Sequence, residues 1–248
     1  MQPLSTVEKA IDLLFHLHAE AAPRGVTAVG KALDLPKSSA HRLLSTLTRR
    51  GLLERDERGH YCPGIGLVAL GLGVLEREPV VAAARPLLER EAQRLGDTVF
   101  LTAARAGAVV VLDKAEGTGF LRAAPRIGST VPLHATAVGK LYLTHAPGAV
   151  TLGDQPLEAF TPATRTSPAM LAAELERVRR RGYAENRDEW IPGLSAIAAP
   201  VMVAGRMVAA LAVASSSPRL EVIRSATVAG RIVEASRRIG ERMEGRAT

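Results

Sequence analysis

Apolar residues in the first fifty positions recur at helical spacing and are interrupted by short polar turns. Leu4, Val7, Ile11, Leu14 and Leu17 fall every three or four residues, which predicts an amphipathic helix with those side chains inward. Ser5, with Glu8 three positions on, predicts a capping box at its start. Pro23 and Gly25 break the pattern, and a short second helix follows, capped by Thr27 and turning Val29, Ala32 and Leu33 inward. Asp34, Leu35 and Pro36 make a tight connection, with Pro36 suited to the first turn of a third helix, KSSAHRLLSTLTRR, that stops at Gly51. LLERDERGHYC then reads as two short extended pieces around a turn at residues 56–59. Three helices and a hairpin in this order predict a winged helix-turn-helix.

Residues 65–78 predict a connecting helix with Leu67, Leu70 and Val74 on one face. Gly66, Gly71 and Gly73 weaken it, each at roughly 1 kcal/mol relative to alanine. Pro79 marks the expected boundary. Beyond it a helix over residues 80–95 precedes the strand-like runs TVFLTAAR, AVVVLDKA and GFLRAAP. Helices over residues 136–145 and 168–181 come next. LSAIAAPVMV and MVAALAVAS then flank a hairpin signal at Ala204, Gly205 and Arg206, and a final helix turns Val228, Ile232, Ala235, Ile239 and Met243 to one side. Mixed strands and helices with hairpin connections predict an α+β domain on an antiparallel sheet. The expected division is 1–64 for the winged helix, 65–78 for the linker and 79–246 for the second domain.

Composition narrows the function classes without choosing one. The 248 residues are 47% hydrophobic and 23% charged, as in a folded globular chain and unlike a disordered one. A net charge of +7 permits an anionic partner but does not establish one. Cys62 is the only cysteine, which excludes an internal disulfide and a cysteine-rich zinc site, and a reducing, cytoplasmic setting is expected. The N-terminal segment has no basic leader, and the apolar run over residues 65–75 is too short for a bilayer span, so no membrane association is expected. No GxxxxGK[ST], HExxH or GxSxG sequence is present, and the six histidines are scattered, so neither a catalytic residue, a metal site nor a cofactor is expected.

The third helix carries the sharpest chemistry. Ala40, Leu43, Leu44 and Leu47 form an inward stripe, which leaves Lys37, Ser38, Ser39, His41, Arg42, Ser45, Thr46 and Arg49 to project outward. No acidic residue interrupts positions 37–50. A cationic helix opened by small hydroxyl residues suits the major groove, with its first turn toward base edges. Lys37 and Arg42 have donors for guanine edges or phosphates; the hydroxyls of Ser38, Ser39 and Thr46 make shorter bonds, and His41 donates without a full charge. Arg58, at the hairpin tip, is placed to meet the backbone or minor groove. The first 78 residues are nearly charge-balanced, so the argument rests on where the positive charge lies.

The order of motifs resembles the IclR family of transcriptional regulators over almost the whole chain. The resemblance lies in VEKAIDLLFHL, VGKALDLPKSSAHRLLSTLTRRGLLERDERGHYCPG, LRAAPRIGSTVPLHATAVGKLYL, FTPATRTSPAMLAAELERVRRRGYAENRDEW, PGLSAIAAPV and VAALAVASS. It implies an N-terminal winged-helix domain, a linker helix and a GAF-like effector-binding domain around a curved antiparallel sheet. It also implies homodimers through the DNA-binding half and linker, homotetramers through the effector domains, and palindromic or pseudo-palindromic double-stranded operators. The implied effectors are small organic acids, aromatics or related metabolites.

The resemblance also places an effector pocket, and there this chain departs from it. Members that bind small carboxylates tend to carry an acidic residue where this chain has Asn186, often cysteine where it has Ala196, and serines where it has Ala212 and Ala214. A less polar or roomier pocket is therefore expected, favouring a larger or aromatic ligand over a small carboxylate. Loss of effector response is the competing reading, and a winged helix used for protein contacts is another. Leu121, Val131, Thr136, Ala137 and Ile191 complete the candidate lining, with Leu121 and Val131 favoured as core and Thr136 as a helix cap. Trp190, the only tryptophan, is either a lid or packing; His134 is favoured as a structural hydrogen-bonding group.

Overall fold

The computed structural model describes residues 5–75, 77–119, 126–153, 156–222 and 225–245. The chain forms two compact units, one running to Arg77 and one starting at Glu78. The expected strand GFLRAAP falls largely on 120–125, outside the described residues, as does Leu121.

The first unit contains α1 (Thr6–Ala19), α2 (Val26–Ala32), α3 (Lys37–Arg49), β1 (Leu53–Arg55), β2 (Tyr61–Pro63) and α4 (Ile65–Leu75). The capping box at α1 forms: the Ser5 amide donates to Glu8 Oε2 at 2.5 Å, and the Glu8 amide donates to Ser5 Oγ at 3.2 Å. That pairing holds the Glu8 carboxyl below its ordinary pKa. The inward face of α1 differs from expectation. Leu13 and Leu17 are buried, with Ala10 and Leu14 half-buried beside them, whereas Val7, Ile11 and Phe15 lie outside at 67%, 46% and 65% exposure. Leu13, Leu14, Phe15 and Leu17 crowd one stretch of sequence, so two apolar stripes satisfy the helical period and only one faces the core. The start of α2 is also corrected. Gly25, not Thr27, is its N-cap, and Thr27 lies in the first turn.

Between α2 and α3 the chain turns tightly, and the Leu35 amide donates to the Gly30 carbonyl at 2.8 Å. A Cβ at Gly30 would sit 3.0 Å from the Leu35 carbonyl oxygen, so a side chain there would press on the turn. Leu13, Leu17, Val29, Leu43, Leu44, Leu47, Leu53 and Tyr61 make the core of this unit. β1 and β2 pair antiparallel as a hairpin, with Glu54 opposite Cys62.

The second unit is built on one six-stranded antiparallel sheet of order β5-β4-β3-β8-β7-β6. Its strands are β3 (Thr98–Arg105), β4 (Ala108–Ala115), β5 (Thr130–Val131), β6 (Ala184–Arg187), β7 (Leu194–Val203) and β8 (Arg206–Ser216). Its helices are α5 (Pro79–Leu95), α6 (Ala137–His145), α7 (Pro168–Arg181), α8 (Ser217–Val222) and α9 (Ser225–Glu244). The central strands are buried on both faces, so their residues divide between two cores. Val99, Leu101, Ile197, Val201, Leu211 and Val213 meet α5 and α9 on one side. Phe100, Ala198, Ala210, Ala212 and Ala214 meet α6 and Val178 of α7 on the other.

Strand pairing fixes which side chains share that second face. Asn186 is opposite Ala196, Ala196 opposite Ala214, and Ala214 opposite Thr98, which makes one row across four strands. Ala184, Ala198, Ala212 and Phe100 make the adjacent row. Polar ties fasten the loops around it. Thr136 caps α6 by accepting from the Gly139 amide at 3.1 Å, and it donates to the Pro132 carbonyl at 2.6 Å.

Candidate nucleic-acid interface and ligand cavity

On α3 the inward and outward faces separate cleanly. Ala40, Leu43, Leu44 and Leu47 are buried, while Lys37, Ser38, His41, Arg42, Thr46 and Arg49 are exposed and Ser39 and Ser45 half-exposed. Among the described residues no carboxylate pairs with Lys37, Arg42, Arg49 or Arg58, so these cations remain available to an outside anion. Pro36 is the N-cap and supplies no side-chain acceptor, which leaves the first-turn amides of α3 directed outward, where a phosphate oxygen would accept them. Thr46 is partly spent internally: its hydroxyl donates to the Arg42 carbonyl at 2.8 Å and accepts from Arg49 Nη2 at 3.2 Å. It therefore offers only an acceptor, and that one is shared.

The hairpin tip is set by Asp56, whose Oδ1 accepts from the Arg58 amide at 3.0 Å and the His60 amide at 2.7 Å. Gly59 takes φ 78°, and Arg55 lies over the Tyr61 ring at 5.1 Å. Arg58 is left exposed at the tip. Cys62 is half-buried, with Sγ facing the Glu54 carbonyl at 3.9 Å.

In the second unit a cavity lies between the sheet and α6. Phe100, Asn186, Ala196 and Ala214 form its floor; Thr136, Ala137 and Val138 form its roof; and Val131, Trp190 and Leu194 close its sides. Only about 30 Å³ of it admits the centre of a water molecule. That is room for roughly two waters. Outside it an open groove of about 580 Å³ runs past His134, Phe160 and Glu158, and the two spaces share Val131 and Trp190 as walls. Of the candidate lining residues, the cavity gathers Val131, Thr136, Ala137, Asn186, Ala196 and Ala214. Ala212 shares their sheet face but belongs to the next row, covered by the core, and Ile191 is 43% exposed and outside the lining. Phe100, Val138 and Leu194 are lining residues that sequence reasoning missed. The alternation of TVFLTAAR put Phe100 on one face but did not say which face carries the cavity.

The turn between β6 and β7 that carries Trp190 is anchored by buried charge. Lys140 Nζ, fully enclosed on α6, donates to both Glu189 oxygens at 2.6 and 2.7 Å and to the Glu185 carbonyl at 3.0 Å. Arg165 reaches the same carboxylate at 2.5 Å. Burial pulls the Lys140 ammonium below its usual pKa, and Glu189 opposes that pull. The Thr164 and Thr161 hydroxyls hold the Glu189 and Asp188 carbonyls, each at 2.6 Å. Asp188, at φ 53°, is thus fixed in a left-handed conformation that a non-glycine residue seldom takes. His134 Nε2 lies 2.9 Å from the Glu158 carbonyl and its ring stacks on Phe160, so it serves the loop rather than the cavity.

Residues 72–241 match the family model described as Bacterial transcriptional regulator IclR C-terminal, and residues 6–57 match the IclR helix-turn-helix domain. The chain belongs to the IclR family. Across 241 residues it is 33% identical to the HTH-type transcriptional regulator BhcR of Paracoccus denitrificans, which covers 95% of this chain and 86% of BhcR. The crystal structure of the Thermotoga maritima IclR superposes with a TM-score of 0.75 at 27% identity, covering 95% of this chain and 98% of that one. An IclR homolog from Microbacterium hydrocarbonoxydans, complexed with 4-hydroxybenzoate, shares the fold with a TM-score of 0.78 at 24% identity, over 97% and 100% of the two chains. This IclR-family chain is accordingly a DNA-binding transcriptional regulator, with a helix-turn-helix half and an α+β half on a curved antiparallel sheet. Among its described residues no helix is long and apolar enough to cross a membrane, and no cluster of three or more His, Cys, Asp or Glu side chains is placed to hold a metal.

Proposed function

We propose that this regulator reads a palindromic or pseudo-palindromic operator by laying α3 in the major groove, under control of a small molecule in the cavity of its second domain. The reading assigns DNA contacts to Lys37, Ser38, Ser39, His41, Arg42, Thr46 and Arg49, and a wing contact to Arg58. The observation that carries it is the outward face of α3, cationic and free of acids, backed by four buried apolar residues. The domains divide as 1–64, 65–78 and 79–246, and the protein works in the cytoplasm.

Two copies acting together suit a two-fold operator. The exposed apolar stripe of α1 and the exposed Ile65, Val68, Leu70, Leu72 and Val74 of α4 support a homodimer formed by this half of the chain. Ligand binding would then favour one spacing of the paired reading helices. The cavity's apolar walls, Phe100 and Trp190 among them, favour an aromatic or larger apolar effector over a small carboxylate. Its tightness favours a second reading, a regulator whose cavity has closed and no longer answers a ligand.

Fluorescence anisotropy with duplex DNA from upstream of its own gene, titrated at 50 to 200 mM salt, tests the reading. Sequence-selective binding that weakens steeply with salt is expected. Equal affinity for unrelated duplexes, or no binding at the lowest salt, refutes it.

A further inference from the structure

The fold leaves one polar group in the cavity with nothing to do. Asn186 is only 4% exposed, and its Nδ2 donates to the Ala135 carbonyl at 3.2 Å. That bond fixes which way the amide points and leaves Oδ1 buried without a partner. A buried acceptor in this state forfeits its hydration and gains nothing in exchange. Asn186 is a member of the cavity floor, so its empty acceptor is a buried atom of that wall, which a ligand that widens the space would reach.

Among the described residues the rest of the lining offers no second unpaired buried acceptor. Thr136 and the indole N–H of Trp190 are the other side-chain polar groups among the described lining residues, and the Thr136 hydrogen is committed to the Pro132 carbonyl while its oxygen accepts from Gly139. Among the described residues no lysine, arginine or histidine lines the cavity. A carboxylate placed here would lose its water, find no cation among the described lining residues, and face the lone pairs of Asn186. A neutral O–H or N–H aimed at Oδ1 would instead complete the one unfinished bond, while a ring fills the space between Phe100 and Trp190.

Resting on the effector-site reading above, we propose that the cavity selects uncharged ring compounds that donate a hydroxyl or N–H hydrogen to Asn186 Oδ1, the chemistry of phenols and ring-borne amides. Such a ligand must widen the water-sized space, and the half-buried Trp190, which walls both the cavity and the outer groove, lies where that widening occurs.

Trp190 is the single tryptophan, so its fluorescence reports occupancy directly. The full chain is titrated at pH 7 with phenol, anisole and benzoate, which hold the ring and change only the polar group. Phenol is expected to bind about fivefold tighter than anisole, the worth of one buried neutral hydrogen bond. Benzoate is expected to be weaker than phenol by roughly a hundredfold or more. Ala196→Ser sets an O–H across the strand pair from Asn186, satisfies Oδ1 internally, and should reduce the phenol preference to near unity. Asn186→Leu should do the same, and Ala196→Ser carries the test if that chain fails to fold. Equal affinities for phenol and anisole, or tightest binding by benzoate, overturn the proposal while leaving the effector site in place. No response to any of the three, in fluorescence or melting temperature, removes the effector-site reading and the proposal with it.

Discussion

Replacing Lys140 with methionine tests how the cavity mouth is held in place. Lys140 is fully buried, and its three polar contacts all reach the segment from Glu185 to Glu189. Methionine keeps most of the apolar stem but strands Glu189, itself 2% exposed, with Arg165 as its remaining cation. Stranding one partner of a buried pair costs about 3–5 kcal/mol. Because Arg165 still reaches the carboxylate, the lower end applies, about 3 kcal/mol. For a domain of this size that is a fall of roughly 6–12 °C in melting temperature. Exchanging both partners, Lys140→Met with Glu189→Met, removes the stranded charge and should return stability to within about 1–2 kcal/mol of the original chain. Urea unfolding followed by circular dichroism at pH 7 measures the original chain, both single variants and the double, with equal slopes confirming a common transition. A single substitution costing under about 1 kcal/mol, or a double one as harmful as the sum of both singles, refutes the claim that this pair is a buried unit.

Three further outcomes follow from other parts of the chain. Arg42→Ala should weaken operator binding by about 1–3 kcal/mol if Arg42 reads a base, or flatten the salt dependence by about one unit per chain if it contacts a phosphate; anisotropy that shows neither change removes Arg42 from the interface. Phe15→Glu combined with Ile11→Glu should convert a dimer to a monomer in light scattering with an unchanged helical spectrum, and an unaltered mass would place the interface elsewhere. The His145 pKa is lowered by burial first and by Arg179 second. The unfolded chain therefore binds this proton more tightly, and stability is lost as pH falls from about 6.5 toward the lowered folded value. His145→Gln should flatten that acid limb in melts at pH 7.5 and 5, and an identical limb in both proteins excludes the assignment.

The outward face of α3 was legible because three independent signals agreed on it. Leucines at helical spacing, the absence of acids over residues 37–50 and a glycine stop each pointed to the same helix, and it buries the four residues expected. On α1 only the capping box was secure, because that signal is local and needs no knowledge of the neighbours. Its buried face depended on which of two apolar stripes meets α3 and β2, a question that spacing does not answer. β6 escaped notice because AENR offers a single apolar residue, yet it carries Asn186. Alternation along β8 sets Ala212 and Ala214 on one face, but which of them lines the cavity depends on what covers each. That is set by the pairing of four strands and the position of α6.

The same register explains why an apolar lining does not make a roomy pocket. On this face of β7 and β8 alanines stand at 196, 198, 212 and 214, and two of them, Ala196 and Ala214, are in the cavity floor. A floor of methyl groups leaves space only if the roof stays where larger side chains would have held it. Here the roof lies close. Ala137 is nearly fully buried against the sheet, and a Cβ on Gly139 would collide with the Leu133 backbone. Ala137 and Gly139 both let α6 settle close to its surroundings, and close packing is what an apolar interior favours when nothing occupies it. The alanines give the floor neither polarity nor side-chain bulk to hold α6 away. What remains is a slot that a ligand must open against packing forces, with the unfilled acceptor of Asn186 as the one polar reward for doing so.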